Sequence, residues 1–270
     1  MICGHRAAAC WFLAPAICVL AASAGLGQST STLTSPSYTV QSIVHAATQT
    51  AEALAPNTIA TIYGTNLAFD TVSVGTGSVV GGNLPTSLDG VTVIVNGWLS
   101  NVFFVSPTQI NFLIPYQLLA GVTTLVVARQ GVAGPVVQIQ LNDTAPGMFV
   151  FNGFVIATHL NGTLVSPAAP ASSGEIIVIY AAGLGKTTPA TTAGRIATSA
   201  AVISEASQMQ VLLAGKACPA GNVLYAGLAP GFAGLYQVNV VVPPLTPPNP
   251  EIRISIGSQI SPPSVQLALQ

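Results

Sequence analysis

Few side chains in this 270-residue chain could do chemistry, and their spacing limits what they could do. Gly183-Leu184-Gly185-Lys186-Thr187 carries the Gly-Lys-Thr ending of a phosphate-binding loop. Such a loop also needs a glycine at position 180 and a helix behind it. Tyr180 stands at that position and Thr188-Pro189 follows, so the segment reads as a turn after a strand. Gly75-Thr76-Gly77 lacks the third glycine of a dinucleotide fingerprint, because Val80 occupies its place. No cofactor is expected from either motif.

A zinc site needs clustered His, Cys, Asp or Glu. His45, His159 and Cys218 lie far apart in the chain, so no metal site is expected from them. Asp70, Asp89 and Asp143 are single acids without the Asp-x-Asp run of a calcium loop. A calcium site built from backbone carbonyls would leave no trace in the sequence and stays open. There is no Gly-x-Ser-x-Gly elbow to present a nucleophile. Paired carboxylates for glycoside hydrolysis would have to come from Glu52, Asp70, Asp89, Asp143, Glu175, Glu205 and Glu251, which are scattered. The chain is therefore expected not to be an enzyme. A hydrolase is the remote alternative and would need a polar pocket where acids or His converge.

What remains is aromatic. Trp98 follows the turn signal Asn96-Gly97, and Phe232 sits in the glycine-flanked stretch Leu228 to Gly234. An aromatic side chain on a loop can stack on a sugar or anchor a partner, or it can fold back over the end of a core. Trp98 and Phe232 are the candidate partner or glycan contacts. For Phe232 the competing expectation is packing against the segment that joins the two halves of the chain.

The elements that hold these residues repeat. Gln109-Ile110-Asn111-Phe112-Leu113-Ile114-Pro115 returns as Gln237-Val238-Asn239-Val240-Val241-Val242-Pro243, at an offset of 128 residues (237 − 109). Ile62-Tyr63-Gly64-Thr65-Asn66-Leu67 is echoed by Ile179-Tyr180-Ala181-Ala182-Gly183-Leu184 at 117 (179 − 62). One β-rich module is therefore used twice. Strands are expected at Thr58 to Tyr63, Val91 to Val95, Val102 to Val105, Gln109 to Ile114, Thr123 to Ala128 and Val136 to Leu141. Val102 to Val105 would return from the Asn96-Gly97 hairpin. In the second copy, Glu175 to Tyr180, Gln208 to Leu213 and Val265 to Leu269 correspond. Leu228 to Gly234 is an insertion with no counterpart and is expected as an exposed loop. The expected fold is all-β: two tandem immunoglobulin-like sandwiches, residues 38–143 and 171–270. A connector over 144–170 joins them, with a hairpin at Asn161-Gly162.

Arg6, the apolar run Ala7 to Leu20 and Ala22-Ser23-Ala24 form a secretory signal peptide pattern over residues 1–24, followed by a flexible lead-in over 25–37. Cleavage would remove Cys3, Cys10 and Cys18 and leave Cys218 alone. No internal disulfide could then form. Cys218 is either a buried small apolar residue or one half of an intermolecular disulfide. Charged residues make up 5% of the chain against 50% hydrophobic, with a net charge of −1. That balance is not the signature of disorder, and it supplies no basic patch for nucleic acid. After signal cleavage no membrane span is expected.

Thr61 to Leu67, Val91 to Gly97 and Ser106 to Pro115 together resemble the IPT/TIG family of immunoglobulin-like domains. Leu84 to Gly90, Ala145 to Phe149 and Gly227 to Gln237 resemble, more closely, an uncharacterised paired-domain family at the C-termini of secreted proteins from Solibacter-type acidobacteria. The resemblance spans about residues 43 to 270 and implies a secreted β-sandwich pair with no catalytic residues. His45-Ala46-Ala47 departs from the usual Asn-Ala-Ala. The function expected is a non-catalytic structural, adhesive or protein-interaction module outside the cytoplasm. Carbohydrate binding is the alternative, so the partner is an envelope protein or a surface glycan.

Export with cleavage after Ala24 predicts an exported protein that begins at Gly25. N-terminal sequencing checks it; an intact Met1 form held in the membrane would contradict it.

Overall fold

The computed structural model describes residues 34–270, so the expected signal peptide lies outside the described residues. Strands alternate with turns throughout, and the described helices are four 3-10 turns of three residues each. Val91, Val93 and Val95 are buried while Thr92 and Ile94 are half-buried, which is the period of two that a sandwich face requires. The protein is two tandem immunoglobulin-like β-sandwiches.

In the first sandwich one sheet runs in the order Ile43–His45, Ile59–Tyr63, Gln109–Leu113, Asn101–Val105, Val72–Ser73. The facing sheet runs Val137–Leu141, Gly121–Arg129, Val91–Val95, Trp98–Leu99. Between them lie Ile62, Val93, Ile110, Phe112 and Leu125, all fully buried. In the second, Ile176–Ala182, Tyr236–Val241 and Val223–Leu228 are central in one sheet, and Met209–Leu213 pairs with Ile252–Ile256 in the other. Ile177, Val211, Val238 and Ile254 fill that core. Each such side chain contributes about 1.5–3 kcal/mol on burial.

The repeated motif has a structural cause. Tyr63 pairs with Gln109 in the first copy, and Tyr180 pairs with Gln237 in the second. Gln109 donates from Nε2 to Asn111 Oδ1 at 2.8 Å, and Gln237 does the same to Asn239 at 3.2 Å. On the other side, the ladder slips between Val102 and Phe104 opposite Asn111, and between Val223 and Tyr225 opposite Asn239. Gln-x-Asn is thus the side-chain clamp facing a β-bulge, present once per sandwich. A parallel bridge recurs as well, Leu54 with Leu141 and Ala171 with Leu269.

Three expectations change in detail. The return strand of the Asn96-Gly97 hairpin is Trp98–Leu99, not Val102 to Val105. Asn96 and Gly97 have φ of 50° and 79°, the left-handed pair of a two-residue hairpin turn. The chain then leaves at Ser100, and Asn101–Val105 joins the opposite sheet. Switching sheets this early buries Val102 and Val105 in the core. The 144–170 segment has the expected hairpin at Asn161-Gly162, where Thr158 bridges Leu164, and adds an unexpected one at Asn152-Gly153, between Val150–Phe151 and Phe154–Val155. It also adds Gly147–Met148 and Ala157–His159 to the second sheet. Val265 to Leu269 makes isolated bridges to Glu251, Phe154 and Ala171 rather than a continuous ladder.

The insertion is not a free loop. Leu228, Ala229 and Ala233 are buried, while its tip, Pro230 to Phe232, is exposed, Phe232 at 56%. Gly234, at φ +68°, lies so close to the first sandwich that a Cβ there would fall 2.2 Å from Leu113 Cδ1. Next to it, Tyr236 is fully buried. Its hydroxyl accepts from Asn57 Nδ2 at 2.9 Å and donates to the Gly185 carbonyl. A short bridge adds to the junction: Leu84 N–H donates to Gly194 O at 2.9 Å, and Ile196 N–H to Gly82 O at 2.8 Å. His45 is buried at the same boundary, beside Gly147 and Gly183. Burial pushes its pKa down, and Nδ1 accepts from the Ala47 N–H at 3.1 Å, so the ring is neutral.

Tyr236→Phe would strand the buried Asn57 amide and the Gly185 carbonyl. Denaturant unfolding should show a loss of about 1–3 kcal/mol. Unchanged stability would mean that the hydroxyl bonds do not hold the junction.

Candidate functional site

Trp98 lies on the return strand of its hairpin, at the edge of a sheet, rather than on a loop. Its strand is two residues long, closes the tight turn by pairing with Val95, and is the last strand of its sheet. The turn is fixed from behind by Asn96 N–H donating to Thr124 O at 2.9 Å, and Ser100 N–H donates to Val93 O at 2.8 Å. A half-exposed indole (50%) is therefore carried on a short, pinned hairpin. It faces a cleft of ≈ 300 Å³ whose other wall is the 117–123 segment. Asn96 and Gln117 supply side-chain amides there, beside the exposed Leu119 and Val122. A flat aromatic face flanked by uncharged donors and acceptors can stack on a sugar ring and hydrogen-bond its hydroxyls.

Phe232 is exposed rather than packed against the connector, which removes the competing expectation for it. Its backbone is fixed, since its carbonyl accepts from Ala197 N–H at 3.0 Å. It is not among the residues lining the Trp98 cleft. The two aromatic candidates are therefore separate features.

The sequence reading missed a second cleft, of ≈ 440 Å³, lined from both sandwiches. Asn142 and Asp143 come from the first, and Glu205, Gln208 and Gln259 from the second. Asn142 Nδ2 donates to Gln259 Oε1 at 3.3 Å across it, and Gln208 donates to Glu205. No local motif marks this cleft, because it exists only once the two copies have docked.

The other candidates resolve into structural roles. In the phosphate-loop-like stretch, Gly183 and Gly185 take φ of 76° and 88° to let the chain pass close to Asp143 and Ala145. The strand Thr187–Thr188 follows instead of a helix. Cys218 is buried, and burial pushes its thiol up. Among the described residues, no three His, Cys, Asp or Glu side chains converge, and no helix is long and apolar enough to cross a membrane.

One acid–base pair stands out. His159 Nδ1 bonds Glu175, and its Nε2 meets the Ala169 carbonyl at 3.2 Å. Both ring nitrogens thus face acceptors, which suits an imidazolium and leaves neither free to deprotonate a nucleophile. Glu175 also accepts from the Ser172 N–H at 2.9 Å. The pair pins the connector strand to the second sheet. The Glu175 bond raises the His159 pKa. Burial pushes Glu175 up, but the bonds from His159 and Ser172 outweigh it and leave the carboxyl lowered.

No protein-family model matches this chain, and neither does any curated protein sequence. Three solved structures align with it at low scores. A surface glycan-binding protein of Prevotella bryantii aligns over 86% of this chain and 42% of its own, at 11% identity and a TM-score of 0.28. A Bacteroides ovatus surface glycan-binding protein from a mixed-linkage glucan utilization locus aligns over 81% and 43%, at 11% identity and 0.31. Domains 5–6 of the S-layer protein SbsC align over 87% and 98%, at 9% identity and 0.26. The chain spans less than half the length of the two glycan-binding proteins.

The pH dependence of the His159–Glu175 pair follows from its shifts. With His159 raised, its contribution is complete below about pH 6.5 and is lost as pH rises through the folded value. With Glu175 lowered, its contribution is complete above about pH 4.5 and is lost as pH falls through the folded value. The stability difference between wild type and His159→Gln should therefore peak between these values, at about 1 kcal/mol or less for so exposed a pair. A difference that is flat with pH would contradict the ion pair.

Proposed function

We propose that this chain is a non-catalytic glycan-binding module of the cell exterior, with the Trp98 cleft as its sugar site. The observation that carries the reading is the half-exposed indole held by a two-residue turn beside a cleft that carries the amides of Asn96 and Gln117. Sugars bind proteins through this combination of one apolar face and many weak polar contacts. The N-terminal pattern of Arg6, an apolar run and Ala22-Ser23-Ala24 supports export, and a single cysteine in the cleaved chain is compatible with an oxidising compartment. The resemblance to secreted immunoglobulin-like pairs supports the same reading. A structural or adhesive role is contained in it, since a module that grips a surface glycan adheres.

A hydrolase is disfavoured by chemistry. His159 has both nitrogens engaged. The two carboxyls of the junction cleft lack the apolar pocket that a general acid needs: Asp143 is exposed and Glu205 accepts from Gln208.

Trp98→Ala should abolish retention on the glycan that a glycan array identifies, because stacking supplies most of the apolar contact. Because the indole is half exposed, the melting temperature should change by only a few degrees. Full retention by the variant would rule out the cleft as the sugar site.

A further inference from the structure

The Trp98 cleft does not end at its own sandwich. Ala120 lines both it and the larger cleft at the junction. The two are neighbours along one surface, separated by the 117–121 segment, which is exposed except for the buried Leu118. On the near side stand the indole and the amides of Asn96 and Gln117. On the far side stand the amides of Gln208 and Gln259 and the carboxylates of Asp143 and Glu205. Among the residues lining the two clefts there is no Lys, Arg or His. The far cleft is wider, ≈ 440 Å³ against ≈ 300 Å³, and has no aromatic wall.

We propose that the two clefts form one extended site for an oligosaccharide: Trp98 stacks on one ring, and the chain crosses Ala120 onto the second sandwich. This rests on the glycan-binding reading and adds the ligand's length and charge. A single sugar fills only the Trp98 end. A longer chain reaches Asn142, Gln208 and Gln259, whose amides offer donors and acceptors to successive hydroxyls. The two carboxylates, with no cation among the residues that line the clefts, select neutral or amino sugars and repel uronates or sulfated rings. Because the far cleft is built from both sandwiches, the docked pair is the binding unit.

Isothermal titration of the mature protein tests this with three probe series: neutral β-glucan oligosaccharides, chitosan oligosaccharides and oligouronates, each from one to six rings. The expected result is affinity that rises with length for the first two series and stays weak for the third. Asp143→Asn with Glu205→Gln should reduce chitosan hexamer affinity by roughly tenfold or more, the scale of a lost charge-assisted bond, and narrow the gap to the oligouronate. Ser258→Trp, which places a bulky ring in the far cleft alone, should remove the gain with length and leave single-ring affinity unchanged.

If the longer chains bind no better than one ring and neither variant matters, the extended site is wrong while the Trp98 site stands. If oligouronates bind as well as chitosan, the charge selection is wrong. If Trp98→Ala leaves every affinity intact, the glycan-binding reading itself fails, and this proposal with it.

Discussion

The rest of the molecule depends on one buried phenol. Tyr236 has no exposure to solvent, yet its hydroxyl has both roles filled, accepting from Asn57 and donating to the Gly185 carbonyl. The environment pushes its pKa up, mainly through burial, so it remains a neutral donor at any ordinary pH. A buried hydroxyl without partners would be costly, so the two halves have a reason to stay docked in one geometry. The neighbours reinforce it. Gly234 is a glycine because Leu113 occupies the space a Cβ would need, and its positive φ excludes most other residues as well. The bridge between residues 82–84 and 194–196 ties the modules at a second point.

This junction explains how a duplicated fold acquires something neither copy has. The framework is shared down to the Gln-x-Asn clamp and the bulge it faces. Divergence is concentrated where the copies meet. The insertion in the second copy packs against the first, and the junction cleft has walls from both. Trp98 has no aromatic counterpart in the second copy, where Lys216 follows the equivalent Ala214-Gly215 turn. The aromatic platform belongs to the first sandwich, and the acidic wall of Glu205 to the second.

The sequence made the fold legible because β-branched alternation and the Asn-Gly turns report local geometry. Val91 to Val95 and Asn96-Gly97 could be placed to the residue. The return strand could not, because nothing local says that Ser100 leaves one sheet for the other. Trp98 was legible as a candidate because it follows the Asn96-Gly97 turn, but its place on an edge strand was not, because it follows from the switch of sheets at Ser100. Phe232 was readable as lying in an insertion, but its exposure depends on how Ala229 and Ala233 pack, which is a tertiary fact. The junction cleft was illegible for the same reason: Asp143 and Glu205 are 62 residues apart (205 − 143) and meet across two modules.

A continuous surface from Trp98 past Ala120 to Glu205 requires the two sandwiches to form one rigid body. Residual dipolar couplings of the isotopically labelled mature protein in dilute alignment medium test this most directly. Couplings from residues 38–143 and 171–270 should fit a single alignment tensor with the docked arrangement. Two tensors of different magnitude would show that the sandwiches reorient independently, and the shared cleft would not exist in solution.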